Sequence, residues 1–288
     1  MSRPTARIAV IGQGAIGRLV ADALAGSVEV VRVDRSRSSA RAIDEAAVDF
    51  ALICVKTPGT TWAAEVARRL LKPDGVGVTL QNGLGNLEIL AAALGGARAC
   101  AGSVHTGAYR DEADRVIATG PLRLSLARGE AGGSIETLAA LLRAAGAEVT
   151  LVDRAAPLLW RKVVVSAALN PLTAILGIPN GALPDHATGA LLADALAREA
   201  ARVAVAAMAG IALAEADAVR LWREAAGATA ANLSSMLQDV RAHRVTEVDS
   251  ICGAIAREGA RTGMPAPLNA AMSLLIHALE PTGQPSTR

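Results

Sequence analysis

RIAVIGQGAIG, residues Arg7–Gly17, decides how the first half of this chain folds. A short apolar run, Ile8–Ile11, stops at Gly12-Gln13-Gly14-Ala15-Ile16-Gly17 and passes into a segment of helical period, RLVADALAG, residues 18–26. Strand, glycines and then helix is the setting in which a G-x-G-x-x-G spacing has a mechanism. Gly12 permits a tight turn, Gly14 lets a pyrophosphate approach the backbone, and Gly17 lets the helix pack closely on the strand. The helix N-terminus offers N–H groups and a partial positive charge to phosphate. Gly12, Gln13, Gly14, Ala15, Ile16 and Gly17 are therefore candidates for binding a dinucleotide cofactor.

A second apolar run follows, VEVVRVD, residues 28–34. Asp34 stands where a carboxylate would hold a ribose 2′-hydroxyl and favour NAD, whereas Arg35, with Arg37 close behind, would take a 2′-phosphate and favour NADP. The charges alone leave both cofactors open, and a solvated turn of mixed charge is a third reading of Asp34 and Arg37. Farther out, strands are expected at 50–56, 76–81 and 100–105, with helices at 15–25, 61–71 and 86–95. Such alternation predicts a parallel sheet covered on both faces. Two short strands in RVIATG-PLRLSLA, residues 115–127, read as an antiparallel extension joined at Gly120-Pro121. A helix at 134–145 and a strand at 147–152 complete a first domain.

Beyond about Pro157 the pattern is helical throughout, with periodic Ala/Leu-rich segments at 157–177, 188–209, 215–225, 228–239, 246–262 and 267–279. The fold class is therefore α/β: an N-terminal Rossmann-type domain over residues 1–155, followed by an all-helical domain over 156–288. The tail from about residue 280, EPTGQPSTR, reads as disordered.

The helical half carries its own signal in LWRKVVVSAALNPLTAILGIPNGAL, Leu159–Leu183. Lys162, Ser166 and Asn170 fall at i, i+4 and i+8, so each step of ~400° leaves them on one face. An ammonium, a hydroxyl and an amide on an otherwise apolar helix need hydrogen-bond partners, from protein or from ligand. Lysine is rare here, present only as Lys56, Lys72 and Lys162 among 29 basic residues. An ammonium can be desolvated and can give up a proton, which a guanidinium cannot. The alternative is a lysine snorkelling along a helix edge.

Asn232 and Ser235 read as neighbours at i, i+3 on a further helix. Thr246 looks like an N-cap with Asp249 at the third position, which puts Glu247 in a first turn favoured by the helix dipole. A straight helix from Ser235 to Glu247 would span ~18 Å and end ~120° round. For both to line one site a break is needed around Val240–Val245. On the strand side, Lys56 and Gln81-Asn82-Gly83 end the third and fourth strands, the edge at which open parallel sheets bind ligands. A solvated charge and a plain turn are the alternatives there.

Composition excludes several classes. Aromatics make up 2% of residues and the formal charge is +2, leaving neither stacking platforms nor a basic patch for nucleic acid. Cys54, Cys100 and Cys252 and four dispersed histidines have no metal-ligand spacing and suggest a reducing compartment. No signal peptide opens the chain, and the apolar stretch near 163–178, interrupted by Asn170 and Pro171, reads as short of a membrane span. A soluble, cytoplasmic protein is expected, monomeric or homodimeric, with no membrane or nucleic-acid partner.

Taken together, GQGAIG, Val55-Lys56, QNGLGN (81–86), SVHTGAYRD (103–111), the Leu159–Leu183 segment and NLSSMLQDVRAHRVTEVDSICG (232–253) resemble the ketopantoate reductase (2-dehydropantoate 2-reductase) family over nearly the whole chain. The resemblance implies NADPH-dependent reduction of ketopantoate to pantoate, for pantothenate and coenzyme A synthesis, in a cleft between a Rossmann domain and a helical domain. By position it makes Lys162 the catalytic lysine and Glu247 its acidic partner. It sets Asn82, Ser166, Asn170, Asn232 and Ser235 at substrate or nicotinamide positions, Lys56 at a cleft lysine beside the cofactor, and Arg35 at the residue that selects the 2′-phosphate. Two departures stand out. The family pattern has Asn where this chain has Ser166, and the Arg35–Lys56 segment is short. Both leave room for a related 2-oxo acid, with NAD through Asp34. A non-catalytic dinucleotide sensor is the third reading, which the proton donor Lys162 disfavours.

Overall fold

The computed structural model describes residues 6–35, 47–111, 113–208 and 211–281. Arg37 and the tail beyond Pro281 lie outside the described residues. The chain divides into two compact units that meet in sequence at Leu159/Trp160.

In the first unit, β1 (Arg7–Ile11), β2 (Glu29–Val33), β3 (Val48–Ile53), β4 (Leu71–Thr79) and β5 (Ala99–Val104) lie parallel. Their helices are α1 (Ala15–Leu24), α2 (Thr60–Leu70) and α3 (Asn86–Leu94). Apart from Arg7, Glu29, Arg32, Asp49, Lys72 and Asp74, the strands are largely apolar because both sheet faces are covered. Ile8 and Val10 join one buried layer with Val20, Leu24 and Leu52. Ala9 and Ile11 join the other with Ile53, Ala63, Ala67 and Leu90. Alternate residues of one strand thus serve opposite cores. Register aligns Ile11 with both Val33 and Ile53, and Ile53 with Thr79, so the carboxyl ends of β1–β4 finish level. Everything that follows them emerges at one edge.

The strands β6 (Ala108–Arg110), β7 (Val116–Ala118), β8 (Arg123–Ala127) and β9 (Glu148–Val152), with α4 (Gly132–Ala144), complete this unit. Among the described residues the main sheet runs β2-β1-β3-β4-β5-β8-β9. The expected pair across Gly120-Pro121 separates. Only β8 extends the sheet, antiparallel to β5, while β7 turns back to pair with β6 in a small ribbon. Gly120, at φ 150, turns the chain between two sheets, and no local sequence signal says which partner each short strand takes.

The second unit is helical among its described residues: α5 (Ala155–Leu176), α6 (Ala187–Ala207), α7 (Glu215–Ala228), α8 (Ser235–Arg241), α9 (Cys252–Thr262) and α10 (Pro267–Leu279). The expected helix over 228–239 is not continuous. The chain leaves α7 at Thr229 and re-enters a helix only at Ser235. The expected helix from Thr246 likewise begins late, at Cys252, after a single tight turn at Val248–Ser250. The break between Ser235 and Glu247 falls after Arg241, where His243 adopts φ 50. At 22 residues α5 also exceeds the apolar stretch read from sequence, and by length and composition it could cross a membrane. Most of it is buried against protein instead, including Val163, Val164, Ala167, Ala168 and Leu172.

Candidate active site

The glycine loop follows β1. Gly12 has φ 104, its N–H binds the Val33 carbonyl at 2.9 Å, and a Cβ there would stand 2.7 Å from Val55 N. A Cβ on Gly17 would collide with the Gly12 carbonyl oxygen. Both glycines are therefore demanded by the protein itself. Gly14 differs: it begins α1 in extended geometry, and a Cβ there meets nothing within 4 Å. No protein atom requires a glycine at 14, whereas close approach of a pyrophosphate would. The loop thus fits a dinucleotide, with α1 lending its N-terminal N–H groups. Gln13 braces it by donating from Nε2 to the Val10 carbonyl at 3.0 Å, and Arg18 by donating to the Gln13 carbonyl at 3.0 Å. Beneath it, burial pushes the Cys54 thiol up to about 12, so Cys54 packs as a neutral side chain.

Asp34 and exposed Arg35 follow β2 at the same edge, and exposed Lys56 follows β3. Asn82 follows β4 and is half-buried. A buried polar network ties the last two loops together. Gln81 Nε2 donates to Thr60 Oγ1 at 2.7 Å, Thr60 Oγ1 lies 2.8 Å from both the Thr57 carbonyl and Asn86 Oδ1, and Asn86 Nδ2 donates to the Asn82 carbonyl at 2.9 Å. The backbone of Asn82 is thereby fixed at the end of β4. Among the described residues no cluster of His, Cys, Asp and Glu could hold a metal ion.

In the helical unit, Lys162, Ser166 and Asn170 form a partly exposed row on α5 between buried neighbours. Burial pulls the Lys162 ammonium down from 10.5 to about 8, against the Glu247 carboxylate, which favours the charged form. Lys162 and Glu247 are thus brought together although 85 residues separate them in sequence. A lysine near 8 is mostly charged at neutral pH yet gives up its proton far more readily than a free one.

Asn232 and Ser235 do not share a helix face. Asn232 precedes α8, and the chain's second serine of the pair, Ser235, is its exposed first residue. The cap is buried Ser234, whose Oγ accepts the Leu237 N–H at 3.1 Å and a hydrogen bond from Thr173 Oγ1 at 2.8 Å. Thr173 lies three residues beyond Asn170, so this pair anchors the Asn232–Ser235 segment to the helix that carries Lys162. A second anchor is Pro179-Asn180-Gly181. The Asn180 N–H binds the Asn232 carbonyl at 2.9 Å, Asn180 Nδ2 binds Thr229 Oγ1 at 2.9 Å, and the Gly181 N–H binds the Ala230 carbonyl at 3.0 Å. A Cβ on Gly181 would stand 2.7 Å from Ala230 Cα, so this contact needs glycine. Sequence reading singled out neither Thr173, Ser234 nor Asn180 for these tasks. The available signal was Ser-Ser before an apolar run, an N-cap pattern.

Around Glu247, Ser250 donates from N and Oγ to the Glu247 carbonyl at 3.1 and 2.9 Å, closing the turn that presents the carboxylate. Thr246 Oγ1 accepts the Val248 N–H at 3.2 Å, a capping contact on this turn in place of the expected helix cap.

Fold and residues together define a class, the dinucleotide-dependent oxidoreductases with a Rossmann-type unit and a helical unit. Within it, the family description "Ketopantoate reductase PanE/ApbA" matches residues 35–131, and "Ketopantoate reductase PanE/ApbA C terminal" matches residues 155–280. The chain is 30% identical to a 2-dehydropantoate 2-reductase of Halobacterium salinarum, across 96% of this chain and 100% of that one. A 2-dehydropantoate 2-reductase structure from Geobacter metallireducens superposes with TM-score 0.85 at 25% identity, covering 94% of this chain and 99% of that one. A D-mandelate dehydrogenase in complex with NADH shares the fold, with TM-score 0.84 at 24% identity over 94% of this chain and 98% of that one. The chain belongs to the ketopantoate reductase family.

Proposed function

We propose that this protein uses NADPH to reduce 2-dehydropantoate to pantoate, on the way to pantothenate and coenzyme A, in the cytoplasm. The observation that carries the reading is Lys162, an ammonium lowered to about 8 by burial and felt by the Glu247 carboxylate. In this reading residues 1–155 bind the cofactor and residues 156–288 hold the substrate. Gly12–Gly17 cradle the pyrophosphate, Arg35 takes the 2′-phosphate, and Lys56 and Asn82 serve the nicotinamide side. A nicotinamide held there would supply the hydride for the substrate's carbonyl carbon. Lys162 meets the negative charge growing on the carbonyl oxygen and delivers the proton that makes it a hydroxyl. Glu247 holds the ammonium and orients the substrate's own hydroxyl. Ser166, Asn170, Asn232 and Ser235 grip the substrate through groups that do not compete for the proton.

The test is loss of NADPH absorbance with 2-dehydropantoate, run beside NADH and other 2-oxo acids. Efficient turnover with 2-dehydropantoate and NADPH supports the reading. Turnover only of another 2-oxo acid, or only with NADH, selects the second reading, a reductase of the same fold with a different substrate. Ser166, shorter than the family's Asn, and Asp34 beside Arg35 favour that alternative. NADPH binding without oxidation by any 2-oxo acid overturns both.

A further inference from the structure

Thr246, the residue before Glu247, is held from the far end of the chain. Glu280 Oε1 accepts from the Thr246 N–H at 2.8 Å and from its hydroxyl at 2.7 Å. The other oxygen, Glu280 Oε2, stands 2.9 Å from His277 Nδ1, and His277 Nε2 stands 2.9 Å from Asp249 Oδ1. Asp249 belongs to the turn that follows Glu247. One imidazole therefore lies between two carboxylates, and these grip both sides of Glu247. A neutral imidazole has one N–H and one bare nitrogen, whereas the imidazolium donates from both. Two carboxylate contacts at 2.9 Å call for the charged ring.

Asp249 and Glu280 face this ring directly. From α9, the Arg257 guanidinium donates to the Asp249 carbonyl at 2.8 Å. From α6, Glu199 spends its carboxylate at the other end of α10, on the Leu268 and Asn269 N–H groups.

We propose that His277, bridging Glu280 and Asp249, is a positioning residue that clamps the 246–250 turn and so sets where the Glu247 carboxylate stands against Lys162. The clamp rests on the role given to Glu247 above. With the ring charged, Thr246 is tied through Glu280 and Asp249 through His277. When the ring loses its proton, one nitrogen turns a lone pair toward a carboxylate, and one side of the turn is released. Burial works to lower the His277 pKa, but the hydrogen bonds to Glu280 and Asp249 outweigh it and raise the group above 6.5. The clamp is therefore fully closed below the ordinary histidine value and opens as pH rises through the raised one.

The test compares full-length wild type with His277→Gln, reading kcat/KM for 2-dehydropantoate from pH 6 to 9 and following the Glu247 amide and the His277 ring by NMR. At pH 6, His277→Gln should lose about tenfold in kcat/KM, mostly through KM, and converge on wild type by pH 9. The wild-type Glu247 amide should titrate together with His277, and that titration should vanish in the variant. Equal loss at every pH with a lowered Tm marks a merely structural residue and overturns the proposal, as does a Glu247 amide indifferent to His277. Should His277→Gln fail to fold, Glu280→Gln must lower the His277 pKa and uncouple the Glu247 amide. An inactive wild type overturns the assigned reaction alone, because the amide titration reads the clamp without turnover.

Discussion

Glu247 pulls against the desolvation of Lys162, and burial wins: the ammonium settles at about 8 instead of 10.5. That balance has a cost outside catalysis. The folded chain binds the Lys162 proton less tightly than the unfolded chain does, so the unfolded state holds more protons between about pH 8 and 10.5. Stability from this site should rise with pH through that window. Lys162→Met should abolish the burden, stabilising the protein at pH 7 by ~1–3 kcal/mol, with the gain fading by pH 10. Reduction should meanwhile fall by about 10²–10⁴ if the lysine is the proton donor. Urea denaturation at the two pH values, beside steady-state kinetics, checks both. Glu247→Gln should lower the Lys162 pKa further and move the alkaline limb of the rate profile to lower pH.

Gly14 and Gly17 of the loop should separate by what surrounds them. Gly17→Ala drives a methyl into the Gly12 carbonyl and should lower Tm sharply. Gly14→Ala meets no protein atom, so its stability should stay within ~0.5 kcal/mol of wild type. Its NADPH dissociation constant should still rise at least tenfold, by fluorescence titration. Unchanged NADPH affinity in Gly14→Ala would exclude close approach of the pyrophosphate at that residue.

The proposed function gives Arg35 the choice of cofactor. Arg35→Ala should weaken NADPH by about tenfold or more, the worth of a charge-assisted hydrogen bond, and leave NADH unaffected. Equal effects on both nucleotides, measured by calorimetry, would remove Arg35 from the 2′-phosphate and hand the choice to Asp34.

Ser234 should matter more to stability than its exposed neighbour Ser235. Ser234→Ala removes the cap of α8 and the acceptor of Thr173, and should cost ~1–2 kcal/mol. Because the same segment carries Asn232, KM for the 2-oxo acid should rise as well. Ser235→Ala should leave Tm unchanged and act on KM alone.

Much of this was legible in the chain. Strand, glycines and helix at Arg7–Gly17 announce their geometry because the constraints are local: a tight turn, a close packing, a helix start. The row Lys162-Ser166-Asn170 is legible for the same reason, since helical period is a property of adjacent turns. The limit was reached at Thr229–Ser235 and Thr246–Ile251. There the local pattern favours continued helix, and contacts with Asn180, Gly181, Thr173 and Glu280 override it. A partner 34 residues away leaves no trace in local periodicity.

What the sequence determined by itself, then, was the kind of most elements, the glycine turn after β1 and the polar face of α5. These follow from short-range sterics and from the need to bury one face. Tertiary structure alone decided that β7 leaves the main sheet, that Ser234 caps where Ser235 is exposed, and that the Glu247 charge acts on Lys162. It also decided the acidity of that lysine. A pKa is set by the dielectric and charges around a group, and those are assembled only when distant segments pack.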